Sequence, residues 1–183
     1  MVNHWPQKGR SNTEKTVKAA LDRAKELGIK HIVVASNSGE TAELFTGNDL
    51  DVVCVTHQVG FKEPGDDEME AEMRQKLQKM GVKILTTTHL LAGVDRALRF
   101  KFDGIYPSEI VASALRLLGQ GFKVCVEISV MALDAGLIPY GEEVVVVGGT
   151  GGGADAACVI VPAHSSQFFE TKVKEIICLP REK

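Results

Sequence analysis

The first half of the chain alternates between two spacings of apolar residues. Helical spacing comes first, at Val17, Ala20, Leu21, Ala24 and Leu27. Two short β-branched runs, at 31–36 and 51–56, then indicate buried strands. The pattern also predicts a short helix over 39–46, an amphipathic helix near 66–80 and a third strand at 82–86. Alternating helices and strands predict a parallel sheet with helices on both faces.

The second half mixes helices and strands less regularly. Residues 87–104 show no clear pattern, whereas Pro107–Leu118 predicts a helix with the proline at its start. The very apolar stretch 122–136 is long enough to favour a helix over a strand. Strands are predicted at 143–147, 156–161 and 175–179. No repeat or long linker divides the chain, so residues 1–183 are predicted to form a single α/β domain with a three-layer, mostly parallel sheet.

The overall charge argues against two classes of partner. A net charge of −3 and a pI near 6.0 give no general attraction to nucleic acid or to an anionic membrane. No stretch has the roughly eighteen apolar residues of a membrane span, and the first residues do not resemble a signal peptide. We therefore expect a cytoplasmic protein. The four cysteines are scattered among aliphatic residues, which predicts buried thiols and no metal or redox motif.

The turn after the first long strand has the composition of a phosphate site. It consists of Ser36, Asn37, Ser38, Gly39 and Thr41. Ligands bind beyond the carboxyl ends of parallel strands, and the free N–H groups at a helix start suit a phosphate. The hydroxyl groups add donors, and the glycine permits close approach or a positive φ. The same residues would also serve as a plain turn and cap, and Glu40 would oppose a multiply charged ligand.

A glycine-rich loop is expected at the same edge of the sheet. Gly149-x-Gly151-x-x-Ala154 superficially matches a dinucleotide fingerprint, but that fingerprint requires a helix to follow, and 156–161 is predicted as a strand. The loop is instead predicted to turn its N–H groups, including that of Thr150, toward the crevice. Asp155 would then accept a ribityl or ribose hydroxyl. The alternative is a flexible hairpin connection without a ligand.

These segments resemble a known domain. Residues 28–57, with their strand, Ser-Asn-Ser-Gly turn, helix and second strand, look like the C-terminal domain of pyruvate kinase. Residues 141–149 resemble the final strand and glycine loop of that domain. With 124–128 and 162–164 included, the chain is similar to the stand-alone prokaryotic proteins related to it.

The resemblance implies a pyruvate-kinase-C-terminal-like α/β fold and a ligand at the Ser36 turn. In pyruvate kinase this turn contributes to the site of a phosphorylated sugar effector, and flavin mononucleotide (FMN) is the ligand associated with the stand-alone relatives. Pyruvate kinase chemistry resides in a barrel domain that this chain has no room for, so transfer of a phosphoryl group from phosphoenolpyruvate is rejected. Glu40 stands where the effector domain often has a basic residue, which favours a monophosphate such as FMN.

Further polar residues are candidate contributors to this site. Thr56 and His57 end the second predicted strand, where His57 would contact a flavin ring or act as an acid or base, unless it is only a loop histidine. Gly60 would permit close approach, and Phe61 would stack on the ligand. His89 follows the third strand and is a candidate for the border of the crevice. No supporting carboxylate or thiolate accompanies the histidines, so no metal is predicted.

Two acidic residues lie in the apolar stretch 122–138. Glu127 and Asp134 are too far apart along a helix to act on one bond, so each is expected to be buried with a compensating partner such as Arg96 or Arg99.

The leading hypothesis is an FMN-binding protein of unknown physiological activity. The alternative is a sugar-phosphate sensor or regulatory subunit without catalysis. A third hypothesis is an interaction module, since the related domain lies at subunit contacts and the chain is a candidate homo-oligomer. A flavin-dependent enzyme stays open, because a flavin supplies the chemistry and no residue here identifies a substrate.

Overall fold

The computed structural model describes residues 2–182 and has helices on both faces of one sheet. The strands are β1 (Asn3–Trp5), β2 (His31–Ala35), β3 (Asp51–Thr56), β4 (Lys83–Thr86), β5 (Val144–Gly148), β6 (Ala156–Val161) and β7 (Lys172–Pro180). The α-helices are α1 (Thr13–Leu27), α2 (Glu40–Glu43), α3 (Ala71–Lys79), α4 (Gly93–Phe102), α5 (Pro107–Leu115) and α6 (Gln120–Asp134). Short 3₁₀ segments occur at Arg10–Asn12, Arg116–Leu118 and Ser165–Glu170.

The sheet has the strand order β1-β7-β6-β5-β2-β3-β4. All pairings are parallel except those of β6 with β5 and β7, so β6 alone runs in the opposite direction. The predicted three-layer, mostly parallel α/β fold is confirmed. This topology brings the carboxyl ends of β2, β3, β4 and β5, and the loop into β6, to one edge of the sheet.

The valine run of β5 shows how the sheet is buried on both faces. Val145 and Val147 pack in the same cluster as residues of α1 and α3, whereas Val144 and Val146 pack with residues of α6. Successive side chains of a strand point to opposite faces, so a continuous apolar run suits a strand covered by helices on both sides. Helix α6 is the most buried helix, as the length of its apolar stretch predicts.

All four cysteines are buried and unpaired, which confirms the prediction of buried thiols. Burial raises the pKa of Cys54 and Cys178 to about 12, so both are protonated thiols at neutral pH.

Helix α3 begins later than the predicted 66–80, and β7 is longer than the predicted 175–179. Three further elements differ from the sequence prediction. The short strand β1 was missed, because three residues of mixed polarity carry no periodic signal; it pairs with β7. The helix predicted over 39–46 is a single turn, α2. The segment without a pattern, 87–104, contains helix α4.

Residues 93–118 form what we call the helical arm, made of α4, α5 and the 3₁₀ turn that follows. No residue of α4 is buried, and Ala112 is the buried residue of α5. Asp95 accepts hydrogen bonds from the backbone and hydroxyl of Ser108, and Arg99 pairs with Glu109 at 2.7 Å. Large apolar side chains exposed on the arm are Val94, Phe100, Phe102, Ile105, Ile110, Leu117 and Leu118. The arm is therefore held together internally but lightly buried.

Within residues 2–182, no helix has both the length and the apolar character needed to cross a bilayer.

Candidate functional site

A cleft of about 710 Å³ opens at the edge where β2, β3 and β5 end. Its walls come from Arg10, the Ser36 turn, the segment between β3 and α3, the helical arm, the first turns of α6 and the glycine loop 149–153. The topology explains why these distant segments meet, because the carboxyl ends of the parallel strands share this edge. Most of the residues that the sequence predicts as a site lie here.

Part of the Ser36 turn is hydrogen-bonded within the turn itself. The Ser36 hydroxyl is buried and accepts a hydrogen bond from the N–H of Thr41 at 3.1 Å. Thr41 is itself buried, and the helix that it belongs to, α2, has only four residues. Ser38 is the hydroxyl of the turn that is exposed on the cleft wall. Ser36 thus caps the N–H of Thr41, and Ser38 presents a hydroxyl on the cleft wall. No hydrogen bond within residues 2–182 engages the backbone N–H groups of 37–40.

Gly39 is required by packing and backbone conformation. Its φ is +89°, a region that side chains with a Cβ disfavour. A Cβ at this position would lie 2.6 Å from Cγ of Met73 and 2.9 Å from Cδ1 of Leu77 on α3. Gly39 is not part of the cleft lining, so its role is the fit of α3 against the turn.

The charge of Glu40 is compensated by the N-terminal segment. Arg10 reaches its carboxylate at 2.5 Å, although both side chains are largely exposed. The expected repulsion between Glu40 and an anionic ligand is therefore weakened.

His57 is held by hydrogen bonds on both ring nitrogens. The side-chain oxygen of Asn37 accepts a hydrogen bond from the backbone N–H of His57 at 3.1 Å. The side-chain NH₂ group of Asn37 then lies 3.2 Å from Nε2 of His57. Because an NH₂ group can only donate, Nε2 of His57 is the acceptor of this hydrogen bond. The proton of the ring is therefore on Nδ1, which donates to Glu68 at 2.5 Å. With both nitrogens engaged, His57 offers a ring face to a ligand and no free base.

The carboxylate of Glu68 bonds to two side chains. It contacts His57 and also pairs with Lys62 at 2.5 Å. Burial alone would raise the pKa of Glu68, but hydrogen bonds from Lys62 and His57 lower it below its usual value. The carboxylate therefore stays ionised and fixes the ring of His57.

Three rings form an aromatic wall. Phe61 stacks on His57 with 3.8 Å between centroids and 24° between planes, and His89 lies 5.2 Å from His57 and 5.6 Å from Phe61. Burial lowers the pKa of His89 most strongly, and the charge of Glu127 opposes that shift only in part. His89 is thus a neutral imidazole at neutral pH. The sequence placed it near the crevice without assigning it to the site.

The glycine loop lines the cleft with Gly149, Gly151, Gly152 and Gly153, whereas Thr150 is outside the lining. Strand β6 follows the loop, as predicted, so the helix of a dinucleotide fingerprint is absent there.

Asp155 lies behind the glycine loop. It is fully buried, and its Oδ2 accepts the backbone N–H of Gly9 at 2.8 Å. Its Oδ1 has no partner and points toward Gly121, where a Cβ would come within 2.4 Å of it. The structure therefore makes Asp155 a tie to the N-terminal segment and does not bring it, or Gly60, to the cleft surface.

A buried ion pair lines the cleft on α6. Glu127 is paired with Lys123 one turn away, and its Oε1 accepts the backbone N–H of Leu91 at 2.7 Å. Burial lowers the pKa of Lys123, opposed by the charge of Glu127. The predicted arginine partner of Glu127 is wrong. Asp134 was expected to be buried but is exposed, and it pairs with His164 at 2.8 Å, outside the cleft.

Two arginines line the cleft without a carboxylate partner. Arg96 of α4 lies 5.6 Å from the ring centroid of Phe61, and Nε of Arg116 donates to Gln120 at 2.7 Å. Between residues 2 and 182, neither arginine forms a salt bridge. Sequence reasoning missed both as site residues, because Arg96 lies in the segment without a pattern and Arg116 ends an ordinary helix.

The sequence contains a signal that could have identified Lys123 and Glu127 as site residues. Two opposite charges four residues apart in a very apolar helix indicate a buried pair, and perturbed ionisable groups in clefts are concentrated at functional sites.

Three further acidic side chains of the cleft come from the segment between β3 and α3. Asp66, Asp67 and Glu70 line the cleft there, and Asp67 pairs with Arg74 at 2.7 Å. No group of three or more His, Cys, Asp or Glu side chains in the described chain is arranged to hold a metal ion.

Comparison with known proteins gives both a family and structural neighbours. Three solved structures of pyruvate kinase from Cryptosporidium parvum match this chain. The first has 19% identity and a TM-score of 0.38, and the match covers 74% of this chain and 20% of that one. The second has 19% identity and a TM-score of 0.38, with 77% and 21% covered. The third, in complex with ADP, has 18% identity and a TM-score of 0.39, with 88% and 23% covered.

This chain thus spans about a fifth of the length of those kinases. The family model described as the alpha/beta domain of pyruvate kinase matches residues 14–160, most of the sequence. The chain belongs to the pyruvate kinase alpha/beta domain family.

Proposed function

We propose that this protein binds a phosphorylated small molecule in the cleft, and that the ligand is FMN. The observation that carries the proposal is the cleft itself, which combines an aromatic wall with two arginines that form no salt bridge within residues 2–182. FMN has a flat apolar ring system at one end and a phosphate at the other. A site for it needs both kinds of surface.

The size and chemistry of the cleft fit such a ligand. Its volume of about 710 Å³ falls within the range of roughly 300–1,000 Å³ typical of small-molecule sites. His57, Phe61 and His89 offer ring surface, Ser38 offers a hydroxyl, and the glycine loop offers backbone groups that ligand atoms can approach closely. Glu40 does not weigh against a monophosphate, since Arg10 compensates it.

In this proposal the residues bind and orient the ligand. The hydrogen bonds of Asn37 and Glu68 fix the ring of His57, and Phe61 stacks on that ring. Neutral His89 is a hydrogen-bonding group at the same wall. Bound FMN would supply redox chemistry, with the protein positioning it.

Binding should be measured by titrating the purified protein with FMN and following flavin fluorescence. We expect binding at micromolar concentrations, and a folded protein that binds no FMN at tens of micromolar would rule the flavin out. Phe61→Ala should weaken binding roughly tenfold, because stacking on an aromatic ring contributes about 1–3 kcal/mol. Phe169→Ala is the matched control, since Phe169 is 85% exposed and outside the cleft.

A sugar-phosphate sensor without catalysis is the competing function, supported by membership in the family of a pyruvate kinase domain. Thermal-shift measurements separate the two, since a ligand that binds only the native state raises its stability. Stabilisation by sugar phosphates and none by FMN would replace the flavin with that ligand class.

A cytoplasmic location and self-association belong to the same proposal. Self-association is supported by the apolar side chains exposed on the helical arm, because such patches often mark interfaces. A monomer by light scattering would argue against it.

A further inference from the structure

We propose that Arg10 binds the anionic group of the ligand at the Ser36 turn, and that it exchanges Glu40 for that group. Arg10 thereby determines the preference for a phosphorylated ligand, and Asp155 is the positioning residue that places Arg10 at the cleft. This inference rests on the proposed binding function, because it assigns the phosphate of that ligand to particular residues.

The Ser36 turn has donors that the protein leaves unused. No hydrogen bond within residues 2–182 engages the backbone N–H groups of 37–40, and Ser38 is exposed on the cleft wall. Consecutive backbone N–H groups of a turn can form a concavity that binds an anion. These donors carry only partial charges, so a phosphate dianion bound to them also needs a cation nearby.

The cleft as a whole has no excess of positive charge. Five cationic and six acidic side chains line it, and of the acids Asp66 and Glu70 form no salt bridge in the described part of the chain. A general electrostatic attraction therefore does not place the anionic group. Its position depends instead on where a cation and unused N–H groups lie close together.

Arg10 is the cation beside this turn. Its Nη2 lies 2.5 Å from Oε2 of Glu40, the residue that directly follows Gly39 and begins α2. The side chains of Arg10 and Glu40 are 75% and 57% exposed, so water screens their attraction and the pair contributes little to stability. A guanidinium can instead donate two parallel hydrogen bonds to a phosphate, which is a stronger interaction. Exchange of Glu40 for a bound phosphate is therefore favoured.

Asp155 accounts for the position of Arg10. A fully buried carboxylate is costly unless it is hydrogen-bonded, and Oδ2 of Asp155 accepts the backbone N–H of Gly9 at 2.8 Å. Gly9 has a φ of +100°, a conformation that residues with a Cβ disfavour. The chain is thereby fixed one residue before Arg10.

Two further contacts hold the backbone of Arg10 against the glycine loop. The hydroxyl of Thr13 accepts the N–H of Ala154 at 3.0 Å and donates to the carbonyl oxygen of Arg10 at 2.7 Å. A Cβ on Gly153 would lie 2.9 Å from Cα of Arg10, so the loop packs directly on this residue. The backbone of Arg10 is fixed while its side chain is exposed, and the guanidinium can therefore move between Glu40 and a ligand at the same turn.

The test compares FMN with riboflavin, which has the same ring and ribityl chain but no phosphate. Arg10→Gln should weaken FMN binding by about 10–100-fold, the usual loss for a charge-assisted hydrogen bond, and leave riboflavin binding nearly unchanged. Glu40→Gln should strengthen FMN binding by about two- to fivefold, because Arg10 then has no carboxylate partner to leave. Arg99→Gln is the control, since Arg99 also pairs with a glutamate but lies outside the cleft.

The double variant Arg10→Gln/Glu40→Gln separates contact with the ligand from simple neutralisation of Glu40. If Arg10 only neutralised Glu40, removing both charges would restore the FMN affinity of the unmodified protein, and that result would overturn the proposal. We expect instead that the double variant stays at least about fivefold weaker, because the contact with the phosphate is still missing. Circular dichroism and melting curves check that every variant folds.

The role of Asp155 is tested by the ratio of FMN affinity to riboflavin affinity, which a general loss of packing leaves unchanged. Asp155→Ala removes the acceptor for the N–H of Gly9 and should lower this ratio about tenfold. Asp155→Asn keeps an acceptor oxygen and should restore most of the ratio. An equal loss of both affinities in Asp155→Ala would show that Asp155 supports only the fold. If that variant does not fold, the Arg10 and Glu40 variants alone decide the proposal.

Three other results would overturn the proposal. Unchanged FMN affinity in Arg10→Gln, or an equal loss of riboflavin affinity, would show that Arg10 does not contact the phosphate. Weaker FMN binding in Glu40→Gln would contradict the exchange of partners. A larger loss of FMN affinity in Arg96→Gln or Arg116→Gln than in Arg10→Gln would place the anionic group at the helical arm.

Failure of the flavin proposal can be separated from failure of this assignment. If neither FMN nor riboflavin binds, inorganic phosphate becomes the probe, and the melting temperature is the readout. Stabilisation by phosphate that Arg99→Gln keeps and Arg10→Gln loses supports the assignment without a flavin. No stabilisation of the unmodified protein by phosphate, or equal stabilisation of Arg10→Gln, overturns it.

Discussion

The Ser36 turn and the helical arm form two walls of the same cleft with opposite construction. The turn joins strand β2 to the single helical turn α2, and the side chains of Ser36 and Asn37 bond to the protein itself. The arm is lightly buried and places on the cleft two arginines that form no salt bridge within residues 2–182. The motif most visible in the sequence thus uses part of its polar groups for its own folding, whereas the arm contributes side chains that the sequence does not mark as a site.

The difference has a physical basis. A tight turn between a strand and a helix brings its polar side chains close to backbone groups, so Ser36 caps the N–H of Thr41 and Asn37 accepts the N–H of His57. An exposed arm has no such demand on its guanidinium groups, which water solvates until a ligand arrives. Binding groups are accordingly common on lightly packed segments that a rigid scaffold positions.

The largest effect is expected for the ion pair beneath the arm. Lys123→Met leaves Glu127 buried without its counter-charge and should lower the free energy of unfolding by about 3–5 kcal/mol. The double variant Lys123→Met/Glu127→Gln should recover most of this loss, because glutamine still accepts the N–H of Leu91. Urea denaturation measures both. A cost below about 1 kcal/mol for the single variant would show that the pair is effectively solvated.

The packing of the Ser36 turn is tested at Gly39. Gly39→Ala should cost roughly 1–2 kcal/mol for the positive φ and about 1–3 kcal/mol more for contact with Met73 and Leu77. Gly28→Ala is the matched control, since Gly28 has a φ of +68° but no atom within 4 Å of an added Cβ. Equal costs in thermal unfolding would mean that α3 shifts to accommodate the methyl group.

The smallest effect is the pH dependence at His89, between β4 and the arm. Its pKa in the folded protein is below the usual 6.5 because burial disfavours the charged ring. The unfolded chain then binds the proton more tightly, so stability is lost as pH falls below about 6.5 and levels off below the folded-state pKa. His89→Gln should remove this component. A stability difference between the two proteins that stays constant from about pH 8 to 5 would contradict it, as would an NMR titration with an unshifted pKa.

Much of the fold was predictable because apolar spacing reports burial directly. Strands β3 and β6 begin and end at the predicted residues. Helix α4 was not predictable in the same way, because none of its residues is buried and its pattern therefore carries little information.

The site was predictable only in part. Strand ends located the Ser36 turn, His57 and the glycine loop at one edge, as the topology of parallel sheets requires. Asp155 was expected to face a ligand because it follows that loop, but its carboxylate turns to Gly9 from the far N-terminal segment. That contact joins residues 146 positions apart, which local patterning does not encode.

The sequence by itself determined the α/β alternation, the family and the edge of the sheet where a ligand would bind, because these depend on spacing and strand order. The tertiary structure decided which polar groups stay free. It bonded Ser36 to Thr41, Glu40 to Arg10 and both ring nitrogens of His57 to neighbours, and within residues 2–182 it left Arg96 and Arg116 without a salt bridge. Whether a charged or hydrogen-bonding group has a partner depends on side chains brought together from distant segments, which the spacing of residues along the sequence does not record.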